Sequence, residues 1–284
     1  MRDNASRADN QQEMLKKNFY FSGFMAGEMS CSIIKRTNHG RGYYYEVDFT
    51  VTNADRQLLA EVNRIVMNNR GLITPVKHAY NLSARGKDKV RTVLNFLEHY
   101  PIITGDLARN RIVILKTALM YLENHHGRVS EKTVEMEKLR RKLKELKFDG
   151  KIDKSFGLAI TDRNSLGYFF AGVIDGEGSF GIKTSGSSKE PFFVVAMKDK
   201  KIIETLCKFV GYGNVRLRKD GVYSIEINRR SILKDICELF LNQHPLRHEG
   251  QRKRLLTLQQ LLNDYTPKPG TFWDQKKVAG YDIV

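Results

Sequence analysis

One ten-residue pattern occurs twice in this chain, and this repeat limits the possible folds more than any other feature. Residues 21–30 read FSGFMAGEMS and residues 170–179 read FAGVIDGEGS, so five of the ten positions are identical. Residue type changes only where Ala26 aligns with Asp175 and where Met29 aligns with Gly178. A repeat at this separation predicts two copies of one domain.

The hydrophobic pattern around each copy predicts the same order of elements, α-β-β-α-β-β-α, followed by one further helix. In the first half we expect four helices: one over 18–27, one that begins after an N-cap at Asp55, one over Lys87–His99 and one over 107–123. Strands are expected over 30–36, 43–52, 72–77 and 79–84. In the second half we expect helices over 165–176, Lys200–Val210, 231–242 and 250–263, with strands over 179–185, 191–197, 214–219 and 222–228. The fold class is therefore α+β, with two pseudo-symmetric domains whose antiparallel sheets are covered by helices on one face only.

This pattern divides the chain into five parts: a loose segment at 1–17, a first domain at 18–124, a linker at 125–162, a second domain at 163–265 and a tail at 266–284. The linker contains a predicted helix over Ser130–Phe148 that is dense in Lys, Arg and Glu. Its Leu139, Leu143 and Leu146 recur at helical spacing, so we expect this apolar stripe to pack on one of the flanking domains.

The charge of the chain indicates the class of its partner. Its 284 residues include 48 Lys and Arg against 32 Asp and Glu, a net charge of +16. Such an excess favours nucleic acid or an anionic membrane surface. No apolar run reaches the ~18 residues that cross a bilayer, and the polar N-terminus does not resemble a secretory signal. The three cysteines form no CxxC pair, which disfavours a zinc site or a disulfide framework. We therefore expect an intracellular protein that binds nucleic acid.

The open face of each predicted sheet carries the side-chain types that read base edges in a DNA major groove. The alternative is an ordinary solvated sheet face, but the whole set together with the charge favours DNA. The candidates in the first half are Arg36, Glu46, Asp48, Thr50, Lys77 and either Tyr80 or Asn81, and those in the second half are Lys183, Ser185, Arg216, Arg218, Ser224, Glu226 and Asn228. Basic residues at strand ends are expected to meet phosphates: Lys35, Arg36, Arg41, Arg85, Lys87, Lys189, Arg218 and Lys219.

Two glycines in each copy of the repeat are candidates for close helix packing. Residues four apart share one face of a helix, so Gly23 with Gly27, and Gly172 with Gly176, would let two helix backbones approach each other. Glycine inside a helix costs up to ~1 kcal/mol relative to alanine, which suggests a compensating use. If the two helices pack together, Glu28 and Glu177 converge, and a cation such as Mg²⁺ relieves their repulsion.

The two copies resemble the LAGLIDADG motif of homing endonucleases in the single-chain form with two motifs. Residues 170–180 are a close match and residues 22–28 a more divergent one, and the likeness covers roughly residues 18–265. The resemblance implies a saddle of two antiparallel sheets on DNA, with the motif helices at the domain interface. It also implies that Glu28 and Glu177 are the catalytic acids and ligate divalent metal. Basic residues near the scissile phosphates would be Arg252 or Lys253 in the second half and Arg109 or Arg111 in the first.

The resemblance implies a monomeric, site-specific endonuclease of intron homing. It would hydrolyse both strands of a long, pseudo-palindromic or asymmetric duplex and leave 3′ overhangs. Mg²⁺ is the expected cofactor; Mn²⁺ would substitute, and Ca²⁺ would bind without supporting cleavage. Two alternatives use the same scaffold: an RNA maturase whose partner is its own intron RNA, and a DNA-binding regulator that does not cleave. Ala26 stands where the family has an acid and Met29 where it has glycine, so we expect the two strand cleavages to differ.

Overall fold

The computed structural model describes residues 16–38, 42–124, 130–148, 162–185 and 188–264. The first half contains α1 (Phe19–Glu28), β1 (Met29–Asn38), β2 (Gly42–Asn53), α2 (Arg56–Val66), β3 (Leu72–Val76), β4 (Ala79–Arg85), α3 (Lys87–His99) and α4 (Asp106–Asn124). After α5 (Ser130–Phe148), the second half contains α6 (Arg163–Glu177), β5 (Gly178–Ser185), β6 (Ser188–Met197), α7 (Lys200–Val210), β7 (Val215–Leu217), β8 (Tyr223–Ile227), α8 (Arg230–Glu238) and α9 (Glu249–Asp264). A π-helical turn, Leu239–Gln243, extends α8.

This element order confirms the predicted α+β fold and its internal repeat. Asp55 caps α2 as predicted, because its carboxylate accepts hydrogen bonds from the amides of Gln57 and Leu58 at 2.9 and 3.0 Å. Strands β7 and β8 are shorter than expected, since the turn at Asp220 and Gly221 is closed by a bond between the Arg218 amide and the Val222 carbonyl. Most of the predicted loose N-terminal segment, the tail and residues 149–161 of the linker lie outside the described residues, and the domain boundaries stay predictions.

The two sheets have the same topology, with strand orders β1-β2-β4-β3 and β5-β6-β8-β7 and antiparallel pairing throughout. On the covered face of each sheet, apolar side chains such as Phe49 and Leu82 in the first and Phe193 and Ile225 in the second are fully buried. Helices α2 and α3 cover the first sheet and α7 and α8 the second. Burial of these apolar faces leaves the opposite faces open for a ligand.

The repeat helices α1 and α6 pack against each other at the centre of the molecule. A Cβ added to Gly23 would lie 1.8 Å from the Phe169 carbonyl oxygen, and one added to Gly172 would lie 2.0 Å from the Tyr20 carbonyl oxygen. The two contacts are reciprocal, as a twofold relation between the motifs requires. Only residues without a side chain allow this approach, so the close packing expected from the glycine spacing is present.

The charged helix α5 packs on the first half, where it contacts α4 and β1. Leu139, Leu143 and Leu146 are all buried, as their helical spacing predicted. Glu137, on the same helix, accepts a hydrogen bond from the Tyr45 hydroxyl at 2.9 Å and pairs with Lys35 at 3.2 Å. The helix therefore extends the core of the first half instead of spanning free solvent between the halves. Within the described residues, no helix has the length and apolar character needed to cross a membrane.

We predict that Gly172→Ala lowers the free energy of unfolding by about 3 kcal/mol or more, because the new methyl group meets backbone atoms that cannot rotate away. Chemical denaturation monitored by circular dichroism measures this change. Gly250→Ala, in the first turn of α9, is the matched control, since its nearest neighbour is a His248 ring atom at 3.2 Å. Equal stabilities of the Gly172→Ala variant and the wild-type protein would contradict the packing of α1 on α6.

Candidate active site and nucleic-acid interface

The two motif glutamates lie at the C-terminal ends of α1 and α6, where the helices meet. The second glycine of each motif makes room for the glutamate of the other. A Cβ added to Gly27 would lie 2.9 Å from the Glu177 Cγ, and one added to Gly176 would lie 3.0 Å from the Glu28 Cγ. The same packing that joins the helices thus brings both carboxylates to one place.

Burial and mutual repulsion both act on this carboxylate pair. Burial raises the pKa of Glu28 to about 7; the negative charge of Glu177 raises it further, while a hydrogen bond from Asn53 opposes the shift. Burial also raises the pKa of Glu177. Each carboxylate is thus costly to ionise without a compensating positive charge.

The donor chemistry of this pair fits a hard divalent cation such as Mg²⁺. Two carboxylates with raised pKa values would be neutralised by such an ion, and their oxygens are the ligands that it prefers. Among the described residues, no cluster of three or more His, Cys, Asp or Glu side chains could hold a metal. Glu28 and Glu177 would therefore supply the charged ligands, and the remaining positions would be left for water or for substrate oxygens.

One polar residue near the pair was absent from the sequence-based candidates. The Asn53 side-chain amide donates a hydrogen bond to Glu28 Oε1 at 2.9 Å. Asn53 is the last residue of β2, two positions before the Asp55 N-cap, and 9% of it is exposed. The one signal in the sequence is a polar residue on the covered face of a strand, where the pattern otherwise requires an apolar one.

The basic residues proposed to assist catalysis have different surroundings. The Arg109 guanidinium donates to the carbonyls of Ile102 and Ile103 in the loop before α4, so its donors face backbone. Burial lowers its pKa. Arg111 and Glu177 line one cavity of about 280 Å³. Of the two first-half alternatives, Arg111 is the one that shares a cavity with a motif glutamate.

The second-half candidates Arg252 and Lys253 are exposed near the start of α9. Lys253 pairs with Glu249 at 2.6 Å, one helical turn away. The neighbouring Gln251 donates a hydrogen bond to the carbonyl of Gly178, which directly follows Glu177. Helix α9 therefore begins beside the second motif, with Arg252 and Lys253 next to this contact in sequence.

Two aspartates at matched positions join the halves near the site. The Asp199 carboxylate, which precedes α7, accepts hydrogen bonds from the amides of Asp106, Leu107 and Ala108 at 2.8–3.2 Å and so caps α4 of the other half. Asp55, its counterpart in the repeat, accepts one bond from the Glu249 amide at 3.3 Å at the start of α9. Each half thus holds the first turn of a helix that belongs to the other.

The position that differs most between the motifs also forms a contact between the halves. Asp175 is 2% exposed and accepts a hydrogen bond from the Tyr20 hydroxyl at 2.6 Å and two from the amides of Arg247 and His248 at 2.7 and 3.0 Å. The repeat aligns Tyr20 with Phe169 and Asp175 with Ala26. The polar pair on one side of the interface is therefore replaced by an apolar pair on the other.

Strand pairing assigns most first-half candidates to the open face of the first sheet. Directly paired residues share a face, so the pairs Arg36–Tyr44, Asp48–Arg85 and Thr52–Asn81 place Arg36, Asp48, Arg85 and Asn81 there, and alternation adds Glu46 and Thr50. Asp48 is nevertheless 5% exposed, because it accepts a bond from Ser83 and pairs with Arg85. Its carboxylate is thus largely committed within the protein.

Other first-half candidates lie elsewhere. Of the two alternatives in β4, Tyr80 is on the covered face and packs against the core, which leaves Asn81 as the open-face residue. Lys35 is also on the covered side, where it pairs with Glu137 of α5. Lys77 lies in the turn between β3 and β4 and Lys87 at the start of α3, both exposed. The first-half residues predicted to contact DNA therefore do not all lie on one surface.

In the second sheet, pairing places Lys183, Arg216, Ser224 and Glu226 on the open face. Lys183 and Glu226 form an ion pair at 2.9 Å across this face. Asn228 continues the alternation, while Arg218 and Lys219 are exposed beyond the end of β7. Arg41 and the side chains of Ser185 and Lys189 lie outside what the structure describes.

Comparisons with known proteins agree with this geometry. Residues 170–262 match the protein family described as LAGLIDADG endonuclease, and no curated protein sequence matches the chain. A solved structure of the LAGLIDADG homing endonuclease I-GzeII in complex with its DNA target is similar, with 16% identity over 92% of each chain and a TM-score of 0.73. I-SmaMI bound to uncleaved DNA in the presence of calcium ions has 17% identity over 87% of this chain and 92% of that chain, with a TM-score of 0.73. These findings confirm the predicted resemblance and the predicted fold.

We predict that Tyr20 and Asp175 are energetically coupled across the interface. Tyr20→Phe should cost about 2 kcal/mol of unfolding free energy in the wild-type chain, because it removes a donor from a buried carboxylate. The same change should cost much less when Asp175→Ala is already present, and a double-mutant cycle by chemical denaturation measures the difference. Phe169→Tyr is the matched control, because it adds the same hydroxyl at the aligned position, where Ala26 offers no side-chain acceptor. Equal costs of Tyr20→Phe in both backgrounds would rule out the coupling.

Proposed function

We propose that this chain is a site-specific endonuclease that hydrolyses both strands of a long DNA duplex. The observation that carries the proposal is the reciprocal placement of Glu28 and Glu177 at the crossing of α1 and α6. Two carboxylates with raised pKa values, one from each copy of a repeat, supply one acid for each of two strands. The match of residues 170–262 to an endonuclease family and the DNA-bound structures of similar proteins support the same function.

The two open sheet faces are the proposed DNA-binding surface. A β-ribbon fits the major groove, where Arg contacts guanine, Asn contacts adenine and Glu contacts cytosine. The open-face residues Arg36, Asn81, Arg216, Glu226 and Asn228 match these roles. Because the two sheets differ in these residues, the proposed target is asymmetric in sequence, and the chain would act on it as a monomer.

The proposed mechanism assigns separate tasks to the residues around the helix crossing. Glu28 and Glu177 would hold divalent metal, preferably Mg²⁺, which when bound activates water and stabilises the leaving oxygen of a phosphodiester. The glycine contacts fix both carboxylates on rigid helices, so they are preorganised relative to the duplex. Arg111, which lines a cavity together with Glu177, would stabilise negative charge on a phosphate. The two cuts would leave 3′ overhangs, as the resemblance implies.

We predict that Glu28→Gln or Glu177→Gln abolishes double-strand cleavage while DNA binding persists. Glutamine keeps the shape of the side chain but removes the charge that a metal ligand requires. A target is first selected from a randomised duplex library with Mg²⁺; cleavage is then followed on gels, and binding is measured with Ca²⁺. Glu145→Gln, at an exposed position of α5, is the control. Wild-type cleavage of the selected target by either motif variant would refute the assignment.

We also predict that DNA binding is steeply salt-dependent, because neutralising phosphates releases counterions. Six or more phosphate contacts should weaken binding at least ~10³-fold between about 50 and 200 mM salt. Lys219→Ala, beyond the end of β7, should reduce the slope of log Kd against log salt concentration by about one. Lys144→Ala on α5 should leave the slope unchanged, since this side chain is exposed on the linker helix. Fluorescence anisotropy measures both slopes, and identical slopes for the two variants would show that Lys219 does not contact the DNA.

A further inference from the structure

The side-chain amide of Asn53 has a fixed orientation in the structure. Its oxygen accepts a hydrogen bond from the backbone amide of Asp55 at 2.9 Å. Its nitrogen therefore points the other way, toward Glu28 Oε1, also at 2.9 Å. Rotation of the amide by 180° would place its nitrogen against the Asp55 N–H and its oxygen against a carboxylate oxygen, and both contacts would be repulsive. The end of β2 thus presents one N–H donor to the first motif glutamate.

The second half has no such donor at the matched position. Met29 pairs with Val51 in the first sheet and Gly178 with Val195 in the second, so Asn53 corresponds to Met197. Each of these residues lies two positions before the N-cap aspartate of the next helix, which is Asp55 in the first half and Asp199 in the second. The Met197 thioether has no hydrogen to donate. Within the described part of the chain, no hydrogen bond to the Glu177 carboxylate is formed that would oppose the rise of its pKa by burial.

We propose that Asn53 is a positioning residue for Glu28, and that its replacement by Met197 in the other half makes the two strand cleavages unequal. This inference rests on the proposed endonuclease function and adds the order in which the two strands are cut. A hydrogen-bonded carboxylate stays in one orientation, whereas an unbonded carboxylate must be ordered when metal and DNA bind. The strand that depends on Glu28 is therefore cut faster than the strand that depends on Glu177.

The inequality can be measured with a target duplex that carries a different fluorophore on each strand. Single-turnover cleavage with Mg²⁺ gives one nicking rate per strand, and the strand more sensitive to Glu28→Gln is assigned to Glu28. Loss of a partner that orients a metal ligand typically costs about 10–100-fold. We expect Asn53→Met to slow the Glu28-dependent strand at least tenfold while the other rate is retained. The reciprocal Met197→Asn should speed the Glu177-dependent strand.

A metal-free readout tests the hydrogen bond without relying on cleavage. In protein labelled with ¹³C at the glutamate side-chain carboxyl carbons, Glu28 and Glu177 signals are assigned by their loss in the two Glu→Gln variants. Asn53→Met should shift the Glu28 signal and leave the Glu177 signal in place. This measurement stays informative even if the chain cleaves no DNA, so failure of the positioning role and failure of the proposed function give different results.

Several outcomes would overturn the inference. Asn53→Met also removes the acceptor of the Asp55 amide, so a purely structural role would lower both nicking rates together, in step with a lower Tm. Met197→Asn does not disturb that contact, and an unchanged Glu177-dependent rate in this variant would contradict the proposal. Equal nicking rates in the wild-type protein, or an unshifted Glu28 signal in Asn53→Met, would also refute it. A changed rate ratio with unchanged DNA affinity in Ca²⁺ would support it.

Discussion

The backbone contact between α1 and α6 is the constraint on which the rest of the molecule depends. Glycine hydrogens replace side chains at Gly23 and Gly172, and each of these residues lies against a carbonyl oxygen of the other helix. Among the contacts between the halves, this one sets the pseudo-twofold relation of the motif helices and brings both glutamates to the same end of the pair. The meeting of the two glutamates and the spacing of the two open sheets both follow from how closely these helices approach.

Around this symmetric contact, matched positions of the two halves make different hydrogen bonds. Asp199 accepts three hydrogen bonds from the first turn of α4, whereas Asp55 accepts one from the first turn of α9 and also caps its own helix, α2. Tyr20 and Asp175 form a buried polar contact where the matched Phe169 and Ala26 are apolar. These differences lie at the interface, where each of these side chains contacts a residue of the other half.

The sequence was sufficient to predict the elements and the motif contact, since both depend on local periodicity and on glycine spacing. Alternation also identified Arg216 and Glu226 as open-face residues, but it left Tyr80 and Asn81 as alternatives that only the strand pairing resolves. It could not predict that Lys35 pairs with α5, because that contact joins segments distant in sequence. Nor could it identify Asn53, whose role depends on the direction of one amide group, or show that the donors of Arg109 are taken by carbonyls of its own loop.

The exchange of Tyr20 and Asp175 for Phe169 and Ala26 has an evolutionary consequence. Two copies of the second half, joined through their own motif helices, would bury two aspartates opposite phenylalanine rings that offer no hydroxyl. Two copies of the first half would bury two tyrosine hydroxyls opposite alanine. A change from the fused chain back to a dimer of identical halves would therefore lose the Tyr20–Asp175 hydrogen bond and lower the stability of the interface.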